Sequence, residues 1–106
     1  AFINCKKDDK LYKVLIDDII YIESQDHDLL IRAYDDVYRL RGTITFYEKY
    51  LPPHFIRVHR SYIVNINKIK YMKPLLGHNF SLKMMNNDKV NVSRSYYYQF
   101  KEKIGI

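Results

Sequence analysis

Cysteine, glycine and long apolar runs are all scarce in this sequence, and each scarcity excludes a class of protein. Cys5 is the only cysteine, which excludes an internal disulfide framework and fits a reducing cytoplasm; we expect it to be a small buried side chain. The longest apolar runs are only a few residues, so we expect no membrane span. The three glycines stand far apart, so neither a phosphate-binding loop nor a dinucleotide fingerprint is present.

Arrangements typical of catalysis and metal binding are equally scarce. The four histidines, at positions 27, 54, 59 and 78, lie at no spacing that suits a zinc site, either with each other or with Cys5. Adjacent acids such as Asp17-Asp18 point to different sides of a strand, and solvated turns explain them better than acid–base chemistry does. We therefore predict a protein that is not an enzyme and needs no cofactor.

The charge of the chain is distributed unevenly along its length. Residues 1–53 carry eight Lys/Arg and ten Asp/Glu, whereas residues 54–106 carry ten Lys/Arg and only Asp88 and Glu102, for a net charge of +8. We expect residues 1–106 to form one domain, so this asymmetry predicts a basic face and favours a polyanionic partner. Many small basic domains bind no nucleic acid, so charge alone does not identify that partner.

Alternating apolar and polar residues predict a chain that is mainly β. Eleven tyrosines and five phenylalanines favour strands. The alternation is clearest in four segments: Tyr12–Ile16, Val37–Arg41, Phe80–Met84 and Lys89–Val92. Short Asn/Asp/Gly clusters at 7–10, 34–37, 77–79 and 86–89 mark hairpin turns. The sequence thus predicts antiparallel hairpins, with the apolar run Ile19–Ile22 in the middle of a sheet.

Two segments depart from this pattern and predict short helices. The first covers Thr43–Leu51, with Thr43 or Thr45 as its N-cap and two prolines directly after it. The second covers Ser95–Lys103, with Ser93 as its cap. Its side chains at positions 96, 100 and 104 recur every fourth residue, which indicates a face for packing.

The segment Phe55–Asn65, FIRVHRSYIVN, is basic and contains no acidic residue. It sets Arg57, His59 and Arg60 between two apolar runs. Donors fixed on an ordered segment suit the recognition of phosphates and base edges. We expect His59 to face inward as a buried, hydrogen-bonded structural residue, because Arg57 and Arg60 cannot both share its side.

Three residues lie at predicted strand ends, where a β fold presents side chains on loops. His27 lies in a polar loop between two apolar strands, Arg60 follows the strand 56–59, and Arg94 follows a strand that gives way to a helix. If these ends share one edge, an imidazole and two guanidiniums face outward together. Each residue alone is better explained as an exposed polar loop position.

Three motifs in this order closely resemble the LytTR family, the DNA-binding output domains of bacterial response regulators: DIIYIE at 18–23, FIRVHRSYIVN at 55–65 and VSRSY at 92–96. The resemblance runs from about Lys10 to Ile104. It implies an elongated antiparallel β–β–β fold whose loops enter successive major grooves of double-stranded DNA. The targets would be direct-repeat promoter sites, with a dimer bound on DNA.

The resemblance also implies a set of contact residues. His27, Arg60 and Arg94 would contact bases. Contacts to the DNA backbone are expected from six residues: Gln25, Ser61, Ser93, Ser95, Tyr97 and Lys101. Lys101 would supply the positive charge that Tyr97 lacks. Asp26 and Asp28 flank His27, and their carboxylates would lower the affinity for the duplex unless one of them accepts from a cytosine amino group.

Family members usually carry an N-terminal receiver domain that a sensor histidine kinase phosphorylates. No receiver is present in this chain, so the resemblance implies an isolated or truncated output domain, located in the cytoplasm. Two alternatives stay open: a protein-interaction module that docks an acidic partner, and a single-stranded nucleic-acid binder that uses tyrosines as stacking platforms. Most tyrosines fall at inward or half-buried strand positions, which favours a role in the core.

Overall fold

The computed structural model describes all 106 residues, and half of them lie in strands. The strands are β1 (Phe2–Lys7), β2 (Lys10–Leu15), β3 (Tyr21–Gln25), β4 (Asp28–Arg32), β5 (Val37–Arg41), β6 (Phe55–His59), β7 (Tyr62–Asn65), β8 (Ile69–Leu75), β9 (Asn79–Met84) and β10 (Lys89–Val92). The helices are α1 (Ile44–Tyr50) and α2 (Tyr97–Ile104). Three single 3-10 turns cover Ile16–Asp18, Ile66–Lys68 and Arg94–Tyr96.

The strands form two sheets in which every neighbouring pair is antiparallel. The larger sheet has seven strands in the order β2-β1-β5-β4-β3-β7-β6, and the smaller has three in the order β10-β9-β8. The molecule measures 43 × 23 × 23 Å along its principal axes. The predicted fold class, mainly antiparallel β in an elongated shape with two short helices, is confirmed.

The two faces of the larger sheet pack into two separate hydrophobic cores. Side chains alternate between the faces of a strand, so Ile22 and Ile63 enter one core while their neighbours Tyr21 and Val64 enter the other. The first core lies beneath α1 and contains Ile44 and Leu51 from the helix region. The second is shared with the smaller sheet and α2, whose main contributions are Phe80, Leu82, Met84, Val90, Val92 and Phe100. The apolar run Ile19–Ile22 thus contributes to both cores, and its last two residues begin β3, an interior strand of the sheet.

Helix α1 begins and ends as its sequence predicts. Thr43 is the N-cap, and its hydroxyl oxygen accepts a hydrogen bond from the amide of Phe46 at 3.2 Å. Thr45, the alternative cap, lies inside the first turn. The helix ends at Tyr50, and the two prolines that follow Leu51 prevent its continuation.

Helix α2 starts later than the sequence predicts. Ser93 has extended backbone angles and makes no side-chain capping bond, and its amide donates to the carbonyl of Val58 at 2.9 Å. The 3-10 turn Arg94–Tyr96 intervenes, and the helix begins at Tyr97. The predicted packing face is confirmed: Phe100 is fully buried in the second core, with Tyr96 and Ile104 packed around it.

Hairpin tips adopt the left-handed backbone conformation that Asp and Asn tolerate best among residues other than glycine. Asp8, Asp26, His78 and Asn87 all have φ between 56° and 72°.

Cys5 is buried as expected, and burial raises the pKa of its thiol to about 11, which makes the thiolate scarce at neutral pH. Neither helix has the length and apolar character needed to cross a membrane.

Candidate nucleic-acid interface

The turns that carry His27 and Arg60 lie side by side at one end of the larger sheet. Glu23 of β3 pairs with Tyr62 of β7 in the sheet register, so the β3–β4 turn and the β6–β7 turn point the same way. The amide of Ser24 donates a hydrogen bond to the carbonyl of Ser61 at 2.8 Å, which fastens the two segments together. His27 and Arg60 are both exposed at this end.

Arg94 is joined to the same end through β6. The amide of Ser93 donates to the carbonyl of Val58, one residue before the end of that strand. Arg94 follows as the first residue of the 3-10 turn, and its side chain is exposed. The structure therefore brings together the three segments that hold His27, Arg60 and Arg94, and we call this part of the molecule the turn end.

His59 shapes the turn that presents Arg60. Its Nδ1 accepts a hydrogen bond from the amide of Ser61 at 3.0 Å, and its ring packs edge-on against Tyr62 with 5.3 Å between centroids. An Nδ1 that accepts is unprotonated, so Nε2 carries the proton of the neutral ring. The hydrogen-bonded role matches the expectation, but the side chain is half-buried rather than buried because the strand ends at this residue.

Two acidic residues, one near the turn end and one far from it, have partners within the protein. Asp28, beside His27, lies 3.4 Å from Nη1 of Arg39. Asp88, one of the two acids in residues 54–106, precedes β10 at the end opposite to Arg94, and it accepts a hydrogen bond from the Tyr21 hydroxyl at 2.9 Å. Burial and this bond raise the pKa of Tyr21, so the phenol stays a donor. The second acid at the turn, Asp26, stays exposed.

The residues expected to contact the DNA backbone differ in their exposure. Gln25 and Ser95 are exposed, while Ser61 and Ser93 are half-buried and use their amides to fix the turns. The Tyr97 ring stacks on Phe80 at 5.2 Å, and the Lys101 ammonium lies 5.4 Å from its centroid. Tyr97 is thus held by the second core, and Lys101 places a cation beside it.

Arg57 is a residue of this region to which sequence reasoning gave no separate role. Its side chain is only 14% exposed, and its guanidinium contacts Glu48 of α1. Alternation in β6 was the available signal, because Arg57 stands two residues from Phe55, which is buried in the first core. Its partners on α1 are distant in sequence and carried no such signal.

Comparison with known proteins agrees with this geometry. The sequence profile of the LytTr DNA-binding domain matches residues 9–105. The sensory transduction protein LytT of Enterococcus faecalis is 37% identical over 100 residues, covering 93% of this chain and 41% of that protein. The transcriptional regulatory protein YpdB of Escherichia coli K12 is 34% identical over 102 residues, covering 94% and 42%. The chain therefore spans about two fifths of the length of these relatives.

A solved structure is similar over almost the whole chain. It is described as the LytTr DNA-binding domain of a DNA response regulator from Bacillus cereus. It has a TM-score of 0.94 and 32% sequence identity, and it covers 99% of this chain and 97% of its own. Fold and sequence together define a DNA-binding domain of the kind found in transcriptional regulators. The chain belongs to the LytTr DNA-binding domain family.

Proposed function

We propose that this chain recognises specific sites in double-stranded DNA through the turn end. It would act as the output domain of a two-component response regulator that controls transcription. His27, Arg60 and Arg94 contact base edges, and the neighbouring serines, Gln25, Tyr97 and Lys101 contact phosphates. The regulator would also contain a receiver domain that a sensor histidine kinase phosphorylates, and two copies would bind direct-repeat promoter sites.

One observation supports this function above the alternatives. The side chains of His27, Arg60 and Arg94 project from three separate segments. Backbone hydrogen bonds join these segments, from the amide of Ser24 to the carbonyl of Ser61 and from the amide of Ser93 to the carbonyl of Val58. Base recognition requires donors in fixed relative positions, whereas docking of an acidic partner requires only positive charge.

The test replaces the two outward arginines with lysine. A lysine keeps the positive charge but lacks the planar fork that binds guanine through two donors. We expect Arg94→Lys, and to a lesser degree Arg60→Lys, to lose about 1–3 kcal/mol of binding free energy on a duplex selected from a random pool. Binding to a scrambled duplex at the same salt concentration should hardly change.

Lys49→Gln provides the control. Lys49 lies in the last turn of α1, which leads away from the turn end toward the start of β6, so its loss should affect neither duplex. If Arg94→Lys and Arg60→Lys weaken both duplexes equally, the arginines contact phosphates only. Wild-type protein that binds single strands or an acidic protein better than any duplex would favour one of the alternatives instead.

A further inference from the structure

Arg57 binds the backbone of the turn that presents Arg60. Its Nε donates a hydrogen bond to the carbonyl of His59 at 3.2 Å, and its Nη2 donates to the carbonyl of Arg60. One guanidinium thereby holds two successive carbonyls of the turn. The amide and carbonyl of Ser61 are held by His59 and Ser24. The backbone around Arg60 therefore has little freedom to move.

The remaining edge of the same guanidinium is attached to α1. Nη1 donates to the carboxylate of Glu48 at 3.1 Å and lies 3.4 Å from the hydroxyl of Thr45. A helix that packs on the first core is a rigid support, so α1 fixes the position of the Arg60 turn through Arg57. Glu48 also balances the charge of Arg57, which leaves little net field for a distant phosphate.

Arg57 reaches the Arg94 segment as well. Its Cζ lies 6.0 Å from the centre of the Tyr96 ring, a distance at which a cation and an aromatic face attract each other. Tyr96 is the last residue of the 3-10 turn that begins with Arg94. A single side chain therefore contacts α1, the Arg60 turn and the Arg94 turn.

We infer that Arg57 is a positioning residue for base recognition: it fixes the Arg60 turn and the Arg94 turn on α1 without touching DNA. This inference rests on the proposed function of the turn end. An arginine has five donors in a planar fork, and Arg57 uses all three of its nitrogens inside the protein. Lysine has a point charge without that fork and cannot hold the two carbonyls and Glu48 together.

The main experiment compares Arg57→Lys with wild type on a selected and a scrambled duplex over a range of salt. We expect the ratio of the two affinities to fall by about tenfold, because the guanine-binding arginines are no longer held in register. Affinity for the scrambled duplex and the salt slope should stay unchanged, since no phosphate contact is lost. Faster hydrogen exchange at the amides of Arg60 and Ser61 should accompany the change.

Variants of Glu48 test the same positioning from the helix. Removal of an acid near DNA normally strengthens binding to every duplex, whereas loss of a support weakens only the selected one. We expect Glu48→Ala to lower the affinity ratio, and Glu48→Gln to restore it because an amide oxygen still accepts from Nη1. The neighbouring Lys49→Gln should leave the ratio unaltered. Glu48 is on the exposed surface, so its variants should stay folded and the affinity ratio can be measured with them even if Arg57→Lys unfolds below the assay temperature.

Two results would overturn the inference. If Arg57→Lys and Glu48→Ala both leave the affinity ratio unchanged, Arg57 positions nothing that DNA binding depends on. If Arg57→Gln weakens both duplexes and reduces the salt slope by about 0.9, Arg57 contacts a phosphate directly. Failure of the proposed function looks different: wild-type protein would then show no preference between the selected and the scrambled duplex.

Discussion

Two histidines at the turn end have opposite expected roles although they are the same residue type. His27 is exposed on a hairpin turn, whereas His59 holds the amide of Ser61 and packs on Tyr62. A side chain without internal partners can be removed with little effect on folding, and one that satisfies a partly buried amide cannot. The two positions therefore separate recognition from stability.

We expect His59→Ala to lower the free energy of unfolding by about 1–2 kcal/mol, because the Ser61 amide loses its acceptor. In a domain of this size each 1 kcal/mol corresponds to about 4–8 °C in Tm. His27→Ala should leave Tm nearly unchanged while it weakens binding to the selected duplex. Thermal melting and duplex titration of both variants check the pair. An unchanged Tm in His59→Ala, together with an altered base preference, would reverse the assignment.

At the scale of elements, the sequence offered two threonines as the N-cap of α1, and the structure shows that Thr43 is the cap. The hydroxyl of Thr43 accepts from the amide of Phe46, and an N-cap of this kind contributes about 1 kcal/mol. We expect Thr43→Ala to lower the free energy of unfolding by about that amount. Thr43→Ser should retain wild-type stability in denaturant titration. Equal losses in both variants would mean that the methyl group, and not the hydroxyl, stabilises the helix.

Local patterns in the sequence were sufficient for most elements. The prediction of Val37–Arg41 and Lys89–Val92 as strands matches β5 and β10 residue for residue, because alternation reports directly on a half-buried strand. The turn clusters at 7–10 and 86–89 likewise contain the positive-φ residues Asp8 and Asn87. These features depend on neighbours within a few positions, which a single sequence displays.

Features that depend on distant partners could not be predicted in the same way. Strand β1 pairs with β5, more than thirty residues away, and no local pattern specifies that neighbour. Ser93 resembles a helix cap, but its hydroxyl makes no capping bond, and its amide donates to the carbonyl of Val58 in a distant strand. In the candidate site, the outward positions of Arg60 and Arg94 were predictable from strand ends. The link between Arg57 and Glu48 was not, since it arises only when α1 packs against β6.

For the molecule as a whole, the distribution of charge predicts how binding responds to salt. Residues 54–106 carry a net charge of +8, and Asp88, one of their two acids, is bound internally. Each phosphate that the protein neutralises should add about −0.9 to the slope of log K against log salt. We expect a steep slope for wild type, and a slope less steep by about 0.9 for Lys101→Gln.

Titration of one duplex over a range of salt concentrations measures both slopes, and Lys49→Gln is the matched control with an unchanged slope. A slope near zero for folded wild-type protein would contradict DNA as the partner. A normal wild-type slope that Lys101→Gln leaves unaltered would instead remove Lys101 from the set of phosphate contacts. The two failures are distinguishable, since the first concerns the partner and the second only one side chain.

The division of neighbouring residues between two cores determines where the chain can change in length during evolution. Ile63 and Val64 of β7 enter different cores, as do Ile22 and Tyr21 of β3. Insertion of one residue in either strand would exchange the two sets of side chains and displace both cores at once. The β8–β9 hairpin tip, where Leu76 is 98% exposed, contributes side chains to neither core. Length variation among homologues should therefore collect at that tip and be absent from β3 and β7.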